Sequence, residues 1–223
     1  MKPTILLTRG VSLNEADKQF FEQLGYQTII VPLSEIQPLP LNTAILEQLS
    51  QSEWLFFTSQ SPILSLLKHA RKEIKIAVIG QKTAAIVRKA GFSVTFISPI
   101  ETKEAMITFW RKQYPRPTTI FYPKSQLADS YIEESLSHLY RIYAHVTYEN
   151  RLPKETVSKL SHLSEQAKIQ AVYLTSPSSW HRFYQIYKNI TPSLTLIAIG
   201  PTTKKAIETD GFQAIVKSDW IEK

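Results

Sequence analysis

The hydroxyl groups with the most regular placement in this chain lie in a segment that occurs twice. Residues 76–96, IAVIGQKTAAIVRKAGFSVTF, return at 196–216 as LIAIGPTTKKAIETDGFQAIV. In each copy a Gly ends an apolar run, a Thr lies three residues later, and a Gly-Phe pair precedes a second apolar run. A second matched pair lies upstream, WLFFTSQSP at 54–62 and AVYLTSPSS at 171–179. The duplication predicts two similar lobes with a ligand-binding cleft between them.

The polar residues of both segments are predicted to lie where a strand ends and a helix begins. Helix N-termini present unpaired N–H groups and a partial positive charge, so they can bind a carboxylate or phosphate. The alternative is that the Ser and Thr side chains are ordinary helix caps and turn residues. The residues concerned are Thr58, Ser59, Gly80, Thr83, Ser176, Gly200 and Thr203.

Proton transfer in this chain depends on tyrosines and carboxylates, because it has no Cys. Tyr148 is the leading candidate, since it lies near His145 and Arg151 in YAHVTYENRLP. A neutral phenol can donate a proton to a leaving oxygen. The alternative is that Tyr148 packs in a core or an interface. No phosphate-loop, dinucleotide-binding, serine-elbow or HExxH motif appears in the sequence, and the His spacing does not suit a metal site.

Strands alternate with helices along the chain, which predicts an α/β fold with doubly wound parallel sheets. Residues 5–8, 13–24 and 28–32 form the first predicted β-α-β unit. Residues 33–41, LSEIQPLPL, have two prolines among apolar residues and are predicted to be an extended crossing between lobes. The return crossing is then expected near 144–153.

Composition favours a small anionic partner over a nucleic acid. The 26 Lys+Arg exceed the 19 Asp+Glu and give a formal net charge of +7, but the basic residues are dispersed. The lack of Cys suits a reducing cytoplasm. No apolar run approaches the roughly 18 residues that a membrane span requires, so a cytoplasmic protein with neither membrane nor nucleic-acid contact is expected.

Seven segments together resemble uroporphyrinogen-III synthases over essentially the whole chain. In order they are LLTRG, FFTSQSP, IAVIGQKTAAIVRKAGF, FYPKSQLADSYIEESL, VTYENRLP, YLTSPSSW and IAIGPTTKKAIETDGF. The resemblance implies two doubly wound, flavodoxin-like parallel-sheet lobes joined by a two-stranded linker. Lobe one would comprise residues 1–34 plus 152–223 and lobe two residues 40–144, with linkers at about 35–39 and 145–151.

The resemblance also implies a reaction. The linear octacarboxylate tetrapyrrole hydroxymethylbilane would close to uroporphyrinogen III with inversion of ring D and loss of water, without metal or cofactor. The terminal hydroxyl would leave an azafulvene, and a spiro intermediate would follow. The substrate is the expected partner of a monomeric enzyme in haem biosynthesis, and a transient contact with the preceding synthase is left open.

Site residues follow from the same resemblance, position by position. Tyr148 matches the tyrosine proposed to assist hydroxyl departure. The substrate-binding set is Arg9, Thr58, Ser59, Gly80, Lys124, Ser125, Ser176, Gly200, Thr202 and Thr203. Asp129 departs from the pattern, because many relatives have Arg there, and an Asp could repel a substrate carboxylate. The competing hypothesis for the whole chain is a non-catalytic, two-lobed binding protein for a small polyanion, which would show no turnover.

Overall fold

The structure, a computed structural model, describes residues 2–10, 13–166, 169–187 and 190–220 of the 223. The chain divides into two compact units, each with its own sheet. Unit 1 comprises residues 1–35 and 151–223, and unit 2 comprises residues 36–150. The predicted α/β class with parallel sheets is confirmed.

Unit 1 has a five-stranded sheet in the order β11-β10-β9-β1-β2, and all its strand pairs are parallel. A 3₁₀ turn at Lys217–Trp220 follows the last strand. The elements in chain order are β1 (Thr4–Leu7), α1 (Glu15–Gln23), β2 (Gln27–Ile30), α7 (Thr156–Glu165), β9 (Ala171–Leu174), α8 (Pro177–Ile186), β10 (Thr195–Ala198), α9 (Pro201–Thr209) and β11 (Ile215–Val216).

Both faces of the unit 1 sheet are buried, which explains its continuous apolar strands. Leu6 and Val172 face a core that includes Trp180 of α8 and Ile207 of α9. Their strand neighbours, such as Tyr173, face the opposite core, where Phe21 of α1 packs. Successive strand residues point to opposite faces, so each strand contributes to both cores.

Unit 2 has a six-stranded sheet in the order β3-β8-β7-β4-β5-β6. From β8 through β7, β4 and β5 to β6, each strand is parallel to the next. The elements are β3 (Glu35–Pro38), α2 (Thr43–Gln51), β4 (Trp54–Phe57), α3 (Ile63–Leu67), β5 (Lys75–Val78), α4 (Gln81–Lys89), β6 (Phe96–Ile97), α5 (Lys103–Gln113), β7 (Thr119–Ser125), α6 (Tyr131–Leu136) and β8 (Arg141–Arg151).

The unit 2 sheet is also covered on both faces. Phe57 and Val78 face α3 and α4, while Phe56 and Tyr122 face α5 and α6. Trp110 of α5 anchors the second face. No helix in the described ranges of the chain is long and apolar enough to cross a membrane.

The duplicated segment forms the same local structure in both units. Helices α4 and α9 both end at a Gly with positive φ, Gly91 at 82° and Gly211 at 87°. The Gly91 N–H bonds the carbonyl of Arg88 at 2.9 Å and the Gly211 N–H bonds that of Glu208 at 3.0 Å. Gly adopts this conformation without a Cβ clash, so the repeated Gly-Phe stops both helices at equivalent places.

Candidate active site

In unit 1, the predicted residues gather at the carboxyl ends of three neighbouring strands. Strand β9 lies between β1 and β10, with Tyr173 opposite Leu7 and opposite Ile197. Ligands bind along this edge in open parallel sheets. The residues that follow the three strands are Arg9 after β1, Ser176 after β9, and Gly200, Thr202 and Thr203 after β10.

Ser176 is a helix cap. Its Oγ accepts a hydrogen bond from the Ser179 N–H at 3.0 Å, and the Ser179 Oγ accepts one from the Ser176 N–H at 3.0 Å. This reciprocal pair satisfies two N–H groups at the start of α8. The Ser176 Oγ also lies 3.0 Å from the Ser178 Oγ. The geometry therefore favours the helix-cap alternative for Ser176 over a role in ligand binding.

Helix α9 begins differently. Its N-cap is Gly200, which has no side chain, and Pro201 follows at the first helical position. The N–H groups of Thr202 and Thr203 thus lie in the first turn without a side-chain cap. Thr203 is 2% exposed, and no described residue hydrogen-bonds its hydroxyl. This helix start is suited to bind an anion from outside the unit.

Arg9 shares an acidic partner with a lysine. Its Nη1 lies 3.6 Å from the Asp17 Oδ2, while the Lys217 Nζ donates to the Asp17 Oδ1 at 2.6 Å. Asp17 is buried, and burial together with this carboxylate raises the pKa of the neighbouring Tyr173. Asn14 donates to the Arg9 carbonyl at 2.8 Å and fixes the backbone there. One carboxylate facing two cations leaves Arg9 incompletely neutralised.

In unit 2, the predicted residues lie towards the carboxyl ends of four neighbouring strands, within β8 and β7 and directly after β4 and β5. Thr58 and Ser59 follow β4. The Thr58 Oγ1 lies 3.5 Å from the Tyr122 hydroxyl. The Ser59 Oγ accepts from the Ser61 N–H at 3.1 Å, which makes it a turn residue.

Gly80 is the N-cap of α4 and has φ 78° and ψ 157°, a conformation that only Gly adopts readily. No side chain caps this helix. The Glu101 carboxyl group lies against Gly80, since a Cβ there would be 2.7 Å from the Glu101 Cδ. A resident carboxylate therefore lies beside the start of α4.

Lys124 and Ser125 end β7. The Lys124 Nζ forms an ion pair with Glu133 and lies 3.5 Å from the Asp129 carbonyl oxygen. Its side chain is 17% exposed. The Ser125 Oγ accepts from the Leu127 N–H at 3.2 Å. Both predicted residues thus have internal partners in this structure.

Asp129 forms an ion pair with Lys103, the first residue of α5. The hydrogen bond raises the pKa of Lys103 and lowers that of Asp129. The Asp129 side chain is 63% exposed. Asp129 is therefore paired with a cation at the start of α5, at the same end of the sheet.

Tyr148 lies in β8 opposite Ser125, at a register shift between β7 and β8. Its residue exposure is only 8%. The ring is consequently held in place by packing, and no described residue hydrogen-bonds its hydroxyl. Burial raises the pKa of the neighbouring Tyr122, so this second phenol stays protonated.

His145 does not take part in this group. Its Nε2 lies 2.6 Å from the Gln48 Oε1, its ring packs near Phe121, and burial lowers its pKa. Two residues of the unit 2 edge were not predicted from the sequence, Lys103 and Tyr122. The Thr102 cap before an apolar helix could have placed Lys103 at a helix start. Among the described side chains, no group of three or more His, Asp or Glu is arranged to hold a metal ion.

Comparison with known proteins gives a consistent result. The family model described as "Uroporphyrinogen-III synthase HemD" matches residues 15–220. The uroporphyrinogen-III synthase of Chlorobaculum parvum is 24% identical over 233 residues, covering 98% of this chain and 94% of the relative. A putative uroporphyrinogen-III synthase of Methanocaldococcus jannaschii is 25% identical over 224 residues, covering 95% and 91%.

Solved structures agree in fold. The crystal structure of uroporphyrinogen-III synthetase from Helicobacter pylori matches with a TM-score of 0.63 at 20% identity and covers 97% of this chain and 92% of that one. A mutant uroporphyrinogen III synthase from Thermus thermophilus matches with a TM-score of 0.61 at 14% identity, covering 97% and 93%.

Proposed function

This chain belongs to the uroporphyrinogen-III synthase family, and we propose that it closes hydroxymethylbilane to uroporphyrinogen III with inversion of ring D and loss of water. It is a cyclising, lyase-type enzyme of tetrapyrrole biosynthesis. The observation that carries the proposed chemistry is Tyr148, a phenol with a packed ring and a hydroxyl that no described residue engages. The proposal assigns it the proton donated to the departing hydroxyl.

In the first step the C–O bond of the terminal hydroxymethyl group breaks. The pyrrole nitrogen supplies the electron pair and Tyr148 supplies a proton, so that water leaves, the substrate becomes an azafulvenium cation and Tyr148 becomes a phenolate. A positioned general acid contributes typically ~10² to 10⁴ in rate. The substituted α-carbon of ring D attacks this cation to give a spiro intermediate, and its bond to the methylene bridge from ring C then breaks. The unsubstituted α-carbon of ring D closes the macrocycle on that methylene and loses a proton, which the phenolate regains.

We assign binding of the substrate carboxylates to the carboxyl ends of the strands in the two sheets. In unit 1, one carboxylate would bind at the uncapped start of α9, beside Thr202 and Thr203. A second carboxylate would bind to Arg9, which Asp17 neutralises only in part. In unit 2, Thr58, Ser59, Gly80, Lys124 and Ser125 remain the proposed set. The net charge of +7 supports attraction of an octacarboxylate.

Steering the ring closure is the larger part of the task. The bilane also closes unaided to the uninverted type I isomer, and each factor of ten in isomer preference needs only ~1.4 kcal/mol of differential stabilisation. Ordered contacts to several carboxylates can supply that difference.

The test is to add freshly made hydroxymethylbilane to the purified protein and to separate the type I and type III products by chromatography. We expect type III product at a rate proportional to protein concentration. Type I product alone, at the rate seen without protein, would refute the proposal and favour the non-catalytic binding protein.

The cellular setting is proposed from composition. A chain without Cys suits a reducing cytoplasm, and we propose a monomer that takes its substrate there from the preceding synthase. Size-exclusion chromatography with light scattering would give the oligomeric state.

A further inference from the structure

Lys103 is brought into the unit 2 edge by tertiary structure. It begins α5, which the Thr102 side chain caps by accepting from the Ala105 N–H at 3.2 Å. Its Nζ pairs with Asp129, 26 residues further along the chain, and lies 5.2 Å from the centre of the Tyr131 ring. The carbonyl oxygen of Asp129 lies 3.5 Å from the Nζ of Lys124, one of the proposed substrate-binding residues. Lys103 therefore lies among the proposed substrate-binding residues of this edge.

The two lysines of the edge differ in how firmly they are held. The side chains of Lys124 and Glu133 are 17% and 23% exposed, and Lys124 also contacts the Asp129 carbonyl. The side chains of Lys103 and Asp129 are 32% and 63% exposed. An exposed ion pair contributes little to stability, because water and salt compensate both charges. A substrate carboxylate can therefore replace Asp129 as the partner of Lys103 more easily than it can replace Glu133 as the partner of Lys124.

We propose that Lys103 is a substrate-binding residue that binds a carboxylate of hydroxymethylbilane, an inference that rests on the proposed function. Asp129 is then the protein carboxylate that the substrate displaces from Lys103. The incoming group has the same charge and the same two oxygens as Asp129, so the ammonium loses no hydrogen bond in the exchange. The half-exposed Tyr131 ring beside it offers an apolar face to the adjoining pyrrole. Asp129 thus acts as a competitor built into the protein.

This assignment predicts opposite effects for the two members of one ion pair. Lys103→Met removes the cation while retaining the aliphatic stem, and KM should rise about 5- to 10-fold. Asp129→Asn removes the competitor, and KM should fall about 2- to 5-fold with little change in kcat. Asn keeps the side-chain oxygen that accepts from the Tyr131 N–H at 3.3 Å, so the loop should remain in place.

The double variant gives the sharpest test. If Asp129 acts only by occupying Lys103, Asp129→Asn should lower KM in the wild-type background but not in the Lys103→Met background. An equal fall in both backgrounds would show general repulsion by Asp129 and would overturn the proposal.

A matched control pair lies at the opposite edge of the same sheet. Glu53 precedes β4, Lys75 begins β5, and their Nζ–Oε2 distance is 3.7 Å with side chains 56% and 50% exposed. Glu53→Gln removes one negative charge, as Asp129→Asn does. Lys75→Met removes one positive charge, as Lys103→Met does. Neither control should change KM more than about 1.5-fold at 0.15 M salt, since distant charges are screened there.

The outcomes distinguish this inference from the function on which it rests. Failure of the wild-type protein to make type III product would refute the function itself. Type III product from the wild type, with an unchanged KM for Lys103→Met, would refute the role of Lys103 alone. Circular dichroism melting of every variant excludes unfolding as the cause.

Discussion

At the scale of single residues, the hydroxyls of the candidate set separate by whether the protein already uses them. Ser59, Ser125 and Ser176 accept hydrogen bonds from nearby backbone N–H groups. The hydroxyls of Thr203 and Tyr148 have no described partner. A hydroxyl without a protein partner can bond a substrate without first losing another hydrogen bond, whereas a bonded hydroxyl must give up its partner.

Tyr148→Phe tests the proposed general acid. The ring packing is retained, and the hydroxyl that is removed has no described partner, so the melting temperature should stay within about 2 °C. The turnover rate should fall by roughly 10- to 100-fold, near or below the low end of general-acid effects, because the reaction also proceeds unaided. Product should remain mainly type III. Wild-type turnover would make Tyr148 a packing residue, and mainly type I product at a normal rate would make it a positioning residue.

Thr203→Val and Ser176→Ala form a matched pair at two helix starts. Val keeps the shape of buried Thr203 but removes its hydroxyl, so kcat/KM should fall about 10-fold or more, as for a lost hydrogen bond to a charged group. Its free energy of unfolding should change by less than about 0.5 kcal/mol.

Ser176→Ala should instead lower the free energy of unfolding by about 1 kcal/mol, because the helix cap is lost. Urea denaturation and steady-state kinetics measure both quantities. A stability loss for Thr203→Val with unchanged kcat/KM would contradict the assignment of its hydroxyl to substrate.

At the scale of elements, the duplicated segment forms the same helix twice but starts it differently. Gly80 has φ 78°, whereas Gly200 has φ −170°, which any residue can adopt. A Cβ at Gly80 would also clash with the Glu101 carboxyl group, while Gly200 has no neighbour within 4 Å of that position. The backbone conformation therefore requires glycine at Gly80 but not at Gly200.

Gly80→Ala and Gly200→Ala should differ accordingly in stability. Gly80→Ala is expected to cost about 1–3 kcal/mol, because it forces a side chain into a Gly-only region. Gly200→Ala should cost about 0.5 kcal/mol, from the poorer capping by Ala. Thermal melts of both variants give the comparison, and equal losses would show that the strain at Gly80 is absent in solution.

At the scale of the whole molecule, the net positive charge should attract the anionic substrate. With the proposed octacarboxylate as substrate, a protein of net charge +7 should respond strongly to ionic strength. The Debye length shortens from about 10 Å at 0.1 M salt to about 3 Å at 1 M, so attraction across the surface is screened.

Raising NaCl from about 0.05 M to 0.5 M should therefore lower kcat/KM several-fold, mainly through KM. The isomer ratio should change little, because it depends on contacts made after binding. Kinetics across a salt series, with product chromatography at each end, test both statements. A kcat/KM independent of salt would show that the net charge has no role in capture.

The sequence determined which residues form strands and helices in this protein and at which end of each strand the polar residues lie. The apolar runs around Leu6, Val78 and Ile197, each followed by a polar turn and an amphipathic stretch, require a parallel α/β arrangement. A Gly-Phe pair follows each duplicated amphipathic stretch in the sequence, and in the structure Gly91 and Gly211 end helices α4 and α9. Strand β3, at Glu35–Pro38, lies beside β8 at the positions where the resemblance implied a two-stranded linker.

Tertiary structure alone decided what each polar side chain contacts. The sequence could not show that Ser176 caps α8 while Thr203 remains free, because both lie at helix starts and only the backbone geometry separates them. Nor could it pair Lys103 with Asp129, since that contact joins the start of α5 to the loop between β7 and α6. Secondary structure follows from periodicity within a few residues, but a site is assembled from distant segments whose separations only the folded chain sets.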